Sequence, residues 1–240
     1  FNAALQQHID TEADITIIYS KGFYSKEKNP STNVISVDEN HTVKEVLITP
    51  AITGECNVSL EMFIMRTEFL KKIVQEAASK SQHSLVRDVL QGRKDEFVIK
   101  GYEHKGVFTK IDGLAAYYQA NLSLLQADTR AGLFQESAPI YTKVGDNAPV
   151  KYGLESSVKN SLIADGCVIE GSVENCVLFR GVRIGKDAVV KNSVLMQGTH
   201  VGEKCNIERV IADKNVDISS DKVLTGSDDF PLYLSKNGKI

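Results

Sequence analysis

The chain has 240 residues, of which 42% are hydrophobic and 25% charged, and its formal net charge is −3. This composition is typical of a folded globular protein with one or two domains. Without a basic field, nucleic acid and anionic membrane surfaces are poor partners. No apolar run approaches the roughly 20 residues of a membrane span and no signal peptide is visible, so we expect a cytoplasmic protein.

The first part of the chain alternates predicted helices and strands. A helix is predicted over Asn2–Ile9 and a β-branched strand over Asp14–Tyr19. Turn residues at 38–40 separate two apolar segments, Asn33–Val37 and Val43–Ile48, which predicts a hairpin-like pair. The further predicted elements are a short strand at Met62–Met65, a helix capped by Thr67, a short helix starting at Ser84, strands at Phe97–Ile99 and Val107–Ile111, and a helix capped by Asp112. This alternation predicts an α/β arrangement.

Six short stretches of the second part share one layout. Each opens with Ile or Val and has a small or aliphatic residue at its fifth position, and they begin at Ile163, Ile169, Ile184, Val190, Val201 and Ile207. A six-residue period of this kind is the signature of a parallel β-helix. The spacings from Ile163 to Ile184 and from Ile184 to Val201 together predict a coil of roughly 18 residues, or three hexapeptides.

A change in composition marks the boundary between the two parts. Between Gly153 and Gly226 there is one aromatic residue, Phe179, and no proline. A narrow β-helix has room for small and branched side chains, and proline would remove ladder hydrogen bonds. The predicted domains are an α/β domain over 1–136, a linker over 137–153 and a β-helix over 154–240.

The four cysteines do not form a metal-binding pattern. They lack a C-x-x-C pair and no histidines cluster with them, which argues against a zinc site. Cys167 and Cys205 occupy the inward fifth position of their hexapeptides. We therefore expect buried free thiols.

Several segments together carry a resemblance to a known family. They are Tyr118–Asn121, Pro139–Val144, Ala148–Gly153, Ser161–Gly171, Asn175–Gly181 and Asn192–Gly198. The chain resembles the sugar-nucleotide pyrophosphorylases over essentially its whole length, and within them the regulatory-type bacterial subunit of glucose-1-phosphate adenylyltransferase, which serves glycogen biosynthesis. The resemblance implies an incomplete nucleotidyltransferase-type α/β domain followed by a left-handed β-helix. It also implies that the family's Gly-rich nucleotide loop precedes Phe1, so we expect a C-terminal fragment.

Two residues depart from the family's catalytic pattern. Catalytic members have a Glu-Lys-Pro motif whose Lys holds the sugar phosphate, and Thr49 stands at that position here. Thr49 cannot supply a charge-assisted contact to an anion. Lys110 stands where the resemblance implies an Asp that holds magnesium, and an ammonium group would repel the metal. We therefore predict that this fragment binds no cofactor, although the family reaction uses Mg²⁺, and that it belongs to a non-catalytic subunit that partners a catalytic one.

The resemblance also implies candidate binding residues. Gly54 and Ser59 resemble the family's glycine and serine before the strand that lines the sugar pocket, which makes Ser59 a candidate substrate contact. The alternative interpretation of Ser59 is an ordinary strand-start serine, since serine is common at strand edges and turns. Lys143 and Lys151 flank the linker, where family members bind anionic sugar-phosphate effectors, and a solvated surface is the alternative interpretation. Further candidates of the same kind are Arg180 and Arg183.

Two other functions stay open at this point. The first is an active sugar-phosphate nucleotidyltransferase whose compensating groups lie in the missing N-terminal part. The second is a β-helix acyltransferase in which His200 acts as general base. That function would require turnover of an acyl donor that is lost when His200 is replaced.

Overall fold

The computed structural model describes residues 1–27, 31–136, 138–142 and 144–240. The chain forms two compact units, Phe1–Lys105 and Gly106–Ile240. None of the described helices has the length and apolar character that a membrane crossing requires.

The first unit contains a five-stranded sheet with helices. Its elements are α1 (Asn2–Asp10), β1 (Ile15–Ser25), β2 (Val34–Val37), β3 (Val43–Leu47), β4 (Thr53–Ile64), α2 (Thr67–Ser79), a π-helix (Leu85–Gln91), a 3-10 helix (Lys94–Glu96) and β5 (Ile99–Glu103). The strand order is β3-β2-β4-β1-β5. Strand β5 runs parallel to β1, and the other neighbouring pairs are antiparallel.

Strand β1 lies between β4 and β5, and its first six residues are buried without alternation because helices cover both faces of the sheet there, with His8 of α1 against Thr16 on one face. Ile15 and Ile17 pack in one core with Ile73 of α2 and with Leu90 of the π-helix. The sheet is tightly packed at Gly101, where an added Cβ would lie 2.8 Å from the Val37 side chain and 2.9 Å from Tyr19. A larger residue would therefore displace neighbouring side chains.

Most predicted elements of this unit are confirmed, but three details are wrong. Strand β4 is twelve residues long rather than a short strand at Met62–Met65, because its polar first half pairs with Tyr19–Ser25 of β1. Thr67 is the first residue of α2 and not its cap, since the extended residue before it is Arg66 and no side chain caps the helix. The last strand begins at Ile99 rather than at Phe97, because its register is set by pairing with β1.

The strand predicted at Val107–Ile111, near the start of the second unit, does not form. Residues 107–111 form neither helix nor strand, and Val107, Phe108 and Ile111 are 41%, 40% and 57% exposed. The apolar β-branched pattern was insufficient there because no described strand pairs with this segment. Helices α3 (Leu114–Ser123) and α4 (Ala127–Leu133) follow. Asp112 is not the cap of α3, because Gly113 occupies that position without a side-chain cap.

The rest of the second unit is a parallel β-helix, as the hexapeptides predict. Its strands are β6 (Lys151–Tyr152), β7 (Ser157–Lys159), β8 (Leu162–Ile163), β9 (Val168–Ile169), β10 (Ser172–Glu174), β11 (Val177–Leu178), β12 (Arg183–Ile184), β13 (Val189–Lys191), β14 (Val194–Leu195), β15 (His200–Val201), β16 (Asn206–Glu208), β17 (Val210–Ala212), β18 (Asp217–Ile218), β19 (Val223–Thr225) and β20 (Leu232–Leu234). Three sheets of five strands have the orders β19-β16-β13-β10-β7, β20-β17-β14-β11-β8 and β18-β15-β12-β9-β6, and all their described pairs are parallel. The predicted fold class, an α/β region followed by a hexapeptide β-helix, is confirmed.

The coil length differs from the prediction. Ile184 pairs with Val201 in the following coil and with Ile169 in the preceding one, and both of these spacings are shorter than the predicted coil. Ile163 lies on a different sheet, where it pairs with Leu178. The predicted coil was too long because the spacing between Ile163 and Ile184 compares residues on two different sheets.

Helix α3 packs on the outer face of one β-helix sheet. Tyr118 is fully buried in a cluster with Val177, Val194 and Ile211, which point away from the β-helix interior. Its hydroxyl donates a hydrogen bond of 2.5 Å to the Asn192 carbonyl, and burial raises the pKa of Tyr118 to about 12. This sheet is consequently apolar on both faces, as expected for parallel strands covered by a helix.

These contacts bear on the ranges predicted from composition. Helix α3 falls in the predicted α/β range of 1–136, whereas by its contacts it belongs to the compact unit of the β-helix. Strand β6 at Lys151–Tyr152 falls in the predicted linker, yet it pairs with β9 as the first strand of its sheet. The change in amino-acid composition marks where the β-helix interior begins. It does not show that a helix earlier in the chain packs on the outside of the β-helix.

Three of the four cysteines line the β-helix interior. Cys167, Cys176 and Cys205 are buried free thiols, which confirms the prediction for Cys167 and Cys205. Burial raises the pKa of Cys176 to about 12, so this thiol is held in its unreactive, protonated form.

Candidate functional site

Asn33 connects two of the predicted site residues in the first unit. Its Oδ1 accepts a hydrogen bond from the Thr49 backbone N–H at 3.3 Å, and its carbonyl accepts one from the Ser59 N–H at 2.9 Å. Its Nδ2 donates to Oε1 of Glu61 at 2.7 Å. The structure thus brings Thr49, Ser59 and Glu61 together around one asparagine. We call these four residues the Asn33 cluster.

Ser59 is the most enclosed member of this cluster. The residue is only 4% exposed, and its Oγ accepts a hydrogen bond from the Glu61 N–H at 3.3 Å. A substrate contact through Ser59, which stays a prediction, would require the hydroxyl to reach a ligand from this enclosed position.

The backbone of the Asn33 cluster is irregular at two points. The pairing of β1 with β4 shifts between Ile18↔Met62 and Tyr19↔Ser59, which leaves a bulge at Leu60 and Glu61. Glu61 has a φ of 58° and Thr49 a φ of 41°. The left-handed region costs an L-residue about 1–2 kcal/mol, and a β-branched residue there is an outlier. Bulges and strained residues concentrate next to functional sites, which favours this cluster as the candidate site.

The charge of the Asn33 cluster is negative. Thr49 contributes a neutral side chain, and the ionisable member is Glu61, whose residue is exposed. The segment after Thr49 is fixed by Tyr24, whose buried hydroxyl donates to the Pro50 carbonyl at 3.0 Å. Burial raises the pKa of Tyr24, so the hydroxyl keeps the proton that it donates. A phosphate needs cationic donors, and the four residues of this cluster provide none.

Lys110 lies in the second unit, shortly before α3 begins. It precedes Asp112 in the segment that leads into the helix, and neither residue belongs to a regular element. The described residues of the chain contain no group of three or more His, Cys, Asp and Glu side chains that could hold a metal ion. With an ammonium group where the resemblance implies a carboxylate, the donor set described here does not fit Mg²⁺.

Lys151 is on the outer face of the β-helix. It is exposed on β6 and aligns with Val168, Arg183, His200 and Asp217 in one column across five coils. Lys151 and Arg183 are therefore on the same face of the same sheet. Lys143, the other predicted effector contact, lies outside the described residues.

His200 has an acidic partner on this face. Its Nδ1 is 2.8 Å from Oδ1 of Asp217, and the two side chains are 50% and 54% exposed. A carboxylate that orients an imidazole is a common arrangement in general-base catalysis. The pair is on an open outer face, however, and the acyltransferase function stays a prediction.

Arg180 lies beside the linker. A Cβ built on Gly145 would come within 3.2 Å of Arg180 Nη1 and 3.0 Å of Asn147 Nδ2. The guanidinium group thus sits close to the linker backbone within the second unit.

Comparison with known proteins shows what this chain is similar to. Residues 148–229 match the model of the GlmU-like C-terminal hexapeptide domain. The chain is 40% identical over 178 residues to the glycogen biosynthesis protein GlgD of Bacillus subtilis, which covers 74% of this chain and 52% of the relative. It is 34% identical over 194 residues to the glucose-1-phosphate adenylyltransferase of Geobacillus stearothermophilus, which covers 78% of this chain and 49% of the relative.

The chain is similar to both relatives over about three quarters of its own length. The resemblance predicted from the sequence is therefore confirmed. The chain spans about half the length of these two relatives. A second GlgD, from Geobacillus stearothermophilus, is 42% identical over 132 residues, which covers 55% of this chain and 38% of the relative.

Sequence reasoning missed Asn33 and Glu61 as members of the site. Asn57, Ser59 and Glu61 alternate with apolar residues, which is the pattern of a regular strand, and it conceals the bulge. Asn33 was placed at the start of a predicted strand, where its side chain carried no signal. Asn33 and Glu61 become informative only when the sheet brings them together.

Proposed function

We propose that this chain is part of a regulatory, non-catalytic subunit that supports ADP-glucose synthesis from ATP and glucose 1-phosphate in glycogen biosynthesis. The relatives named above include glycogen biosynthesis proteins and glucose-1-phosphate adenylyltransferases, which supports the pathway and the substrate class. The cytoplasm is the proposed location, since both substrates are metabolites of that compartment.

The observation that carries the proposal is the composition of the Asn33 cluster. Thr49 stands where the resemblance implies a phosphate-binding Lys, and the other side chains of the cluster are an amide, a buried hydroxyl and a carboxylate. Phosphoryl-type transfer depends mainly on positioning and on neutralising charge with metal ions and Lys or Arg. Losing one such electrostatic contact typically lowers the rate about 10²-fold or more.

Lys110 supports the same conclusion independently. A cation at the position of the metal's carboxylate removes a ligand and adds repulsion. Two electrostatic losses, one for the phosphate and one for the metal, leave assembly and regulation as the proposed role. The proposed partner is a catalytic subunit of the same family.

The outer face of the β-helix is the proposed effector surface. Lys151 and Arg183 are exposed cations in the same column, so an anionic sugar-phosphate effector would meet two positive charges on one face. Lys143 is a further proposed contact of this effector.

Mixing experiments test this function. The complete gene product is combined with a catalytic glucose-1-phosphate adenylyltransferase subunit from the same organism, and the assembly is measured by size-exclusion chromatography with light scattering. We expect a mixed oligomer whose ADP-glucose rate or effector response differs from that of the catalytic subunit alone. Two separate peaks with unchanged kinetics would refute the regulatory role.

A further inference from the structure

Glu61 enters the proposed function only as the carboxylate of the Asn33 cluster, yet its position is unusual. It lies in the β4 bulge with a left-handed backbone, a conformation that favours glycine. Its residue is exposed, whereas Asn33, to which it is bonded, is 8% exposed. A carboxylate is thus held at the surface end of a buried hydrogen-bond network.

The asparagine amide fixes this carboxylate close to Thr49. One carboxamide group separates the two, since Oδ1 accepts from the Thr49 N–H at 3.3 Å and Nδ2 donates to Glu61 Oε1 at 2.7 Å. The Debye length at physiological ionic strength is about 8 Å, so salt screens little at this range. An anion bound beside Thr49 would therefore be repelled by Glu61.

We propose that Glu61 excludes sugar phosphates from the Asn33 cluster. This inference rests on the proposed function and adds a specificity determinant to it. The absence of a Lys at Thr49 removes an attraction, whereas Glu61 supplies a repulsion. Building a repulsive group against one ligand class is a recognised route to specificity.

Ligand binding, which needs no catalytic turnover, tests the effect of removing the Glu61 charge. Glucose 1-phosphate and neutral glucose are titrated by calorimetry into the complete gene product and into Glu61→Gln. Gln keeps an oxygen that accepts from Asn33 Nδ2, so the fold is retained, and thermal unfolding checks this. If Glu61→Gln does not fold, Glu61→Gly replaces it, since a φ of 58° suits glycine. The matched control is Glu55→Gln, an exposed acid on the same strand.

We expect Glu61→Gln to bind glucose 1-phosphate about tenfold more tightly, the change that one nearby charge produces at a protein surface. Binding that becomes measurable where the unaltered protein shows none counts as this tightening. The affinity for glucose, and both affinities in Glu55→Gln, stay unchanged. Unchanged glucose 1-phosphate affinity in a folded Glu61 variant, or an equal gain for glucose, would overturn the assignment.

A double variant sharpens the result. In Thr49→Lys the new ammonium group pairs with Glu61 and gains little affinity, whereas Thr49→Lys/Glu61→Gln gains more than the two single changes combined. Additive gains would contradict direct opposition between these positions. ADP-glucose production by the unaltered protein alone would overturn the proposed function, whereas the titrations decide the role of Glu61.

Discussion

The two units use left-handed residues in different ways. In the β-helix such residues recur at equivalent corners of successive coils, as at Gly181, Gly198 and Asn215, where the chain turns from one sheet to the next. In the first unit Thr49 and Glu61 adopt this conformation without any repeat, and both bond to Asn33. Repeated left-handed residues build the corners of the β-helix. The first unit has isolated ones, of which Thr49 and Glu61 meet at the candidate site, whereas Glu12, His41 and Ser81 lie outside it.

The largest expected change in stability comes from removing the packing of α3 on the β-helix. Tyr118→Ala empties a fully buried position, and we expect the free energy of unfolding of the second unit to fall by about 3–5 kcal/mol. Tyr118→Phe removes only the hydrogen bond to Asn192 and costs about 1 kcal/mol. Tyr141→Ala, at a residue 91% exposed, is the control. Urea unfolding that gives equal stabilities for the two alanine variants would contradict the packing.

A second prediction tests the tightness of the β-helix. A Cβ on Gly171 would lie 2.3 Å from the Ala188 carbonyl oxygen and 2.7 Å from that of Gly185. Gly171→Ala therefore lowers the free energy of unfolding by about 1–3 kcal/mol, because backbone must move. Gly113→Ala meets nothing within 4 Å and serves as the control. Similar thermal midpoints for the two variants would argue against the close stacking of coils.

At the strained residue Thr49, we expect a substitution to raise the free energy of unfolding rather than lower it. Thr49→Gly relieves a β-branched side chain at a φ of 41°, and we expect the first unit to gain about 0.5–1 kcal/mol. Thr53→Gly, in strand β4, loses about 0.5–1 kcal/mol. Chemical denaturation measures both. A loss of stability in Thr49→Gly would show that position 49 is not strained.

The smallest expected effect is a pH dependence of the first unit. His8 is buried against Thr16, and burial together with Arg66 lowers its pKa, with Asp14 opposing. Because the folded pKa is below the ordinary value of 6.5, the stabilisation by neutral His8 is complete above that value and is lost as the pH falls below it. His8→Gln flattens the stability profile below pH 6.5, whereas the exposed control His83→Gln leaves it as it is. An unchanged slope in His8→Gln would remove His8 as its cause.

The β-helix was the more predictable of the two units. Hexapeptide periodicity identified Cys167 and Cys205 as interior residues because each coil imposes the same volume limit. The same periodicity assigned Val194 and Ile211 to the inward fifth position as well, which is wrong, because they pack outside the β-helix interior against α3. Their aliphatic character looked like an interior position, since a helix docked outside creates the same demand for apolar side chains.

The first unit was predictable as a set of elements but not as a site. Strand β1 and the β2–β3 pair followed from apolar patterning and turn residues. The bulge at Glu61 did not, because a bulge is a property of two paired strands rather than of one alternating sequence. The bond between Asn33 and Glu61 joins residues far apart in the sequence and depends on that bulge.

The most direct test of the central claim is the turnover of the complete gene product alone. ADP-glucose formation from ATP and glucose 1-phosphate is measured with Mg²⁺, at the same concentration as a catalytic subunit of the family. We predict a rate at least about 10²-fold below that subunit, because the charged groups for the phosphate and the metal are replaced by Thr49 and Lys110. A rate equal to that of the catalytic subunit would contradict the account.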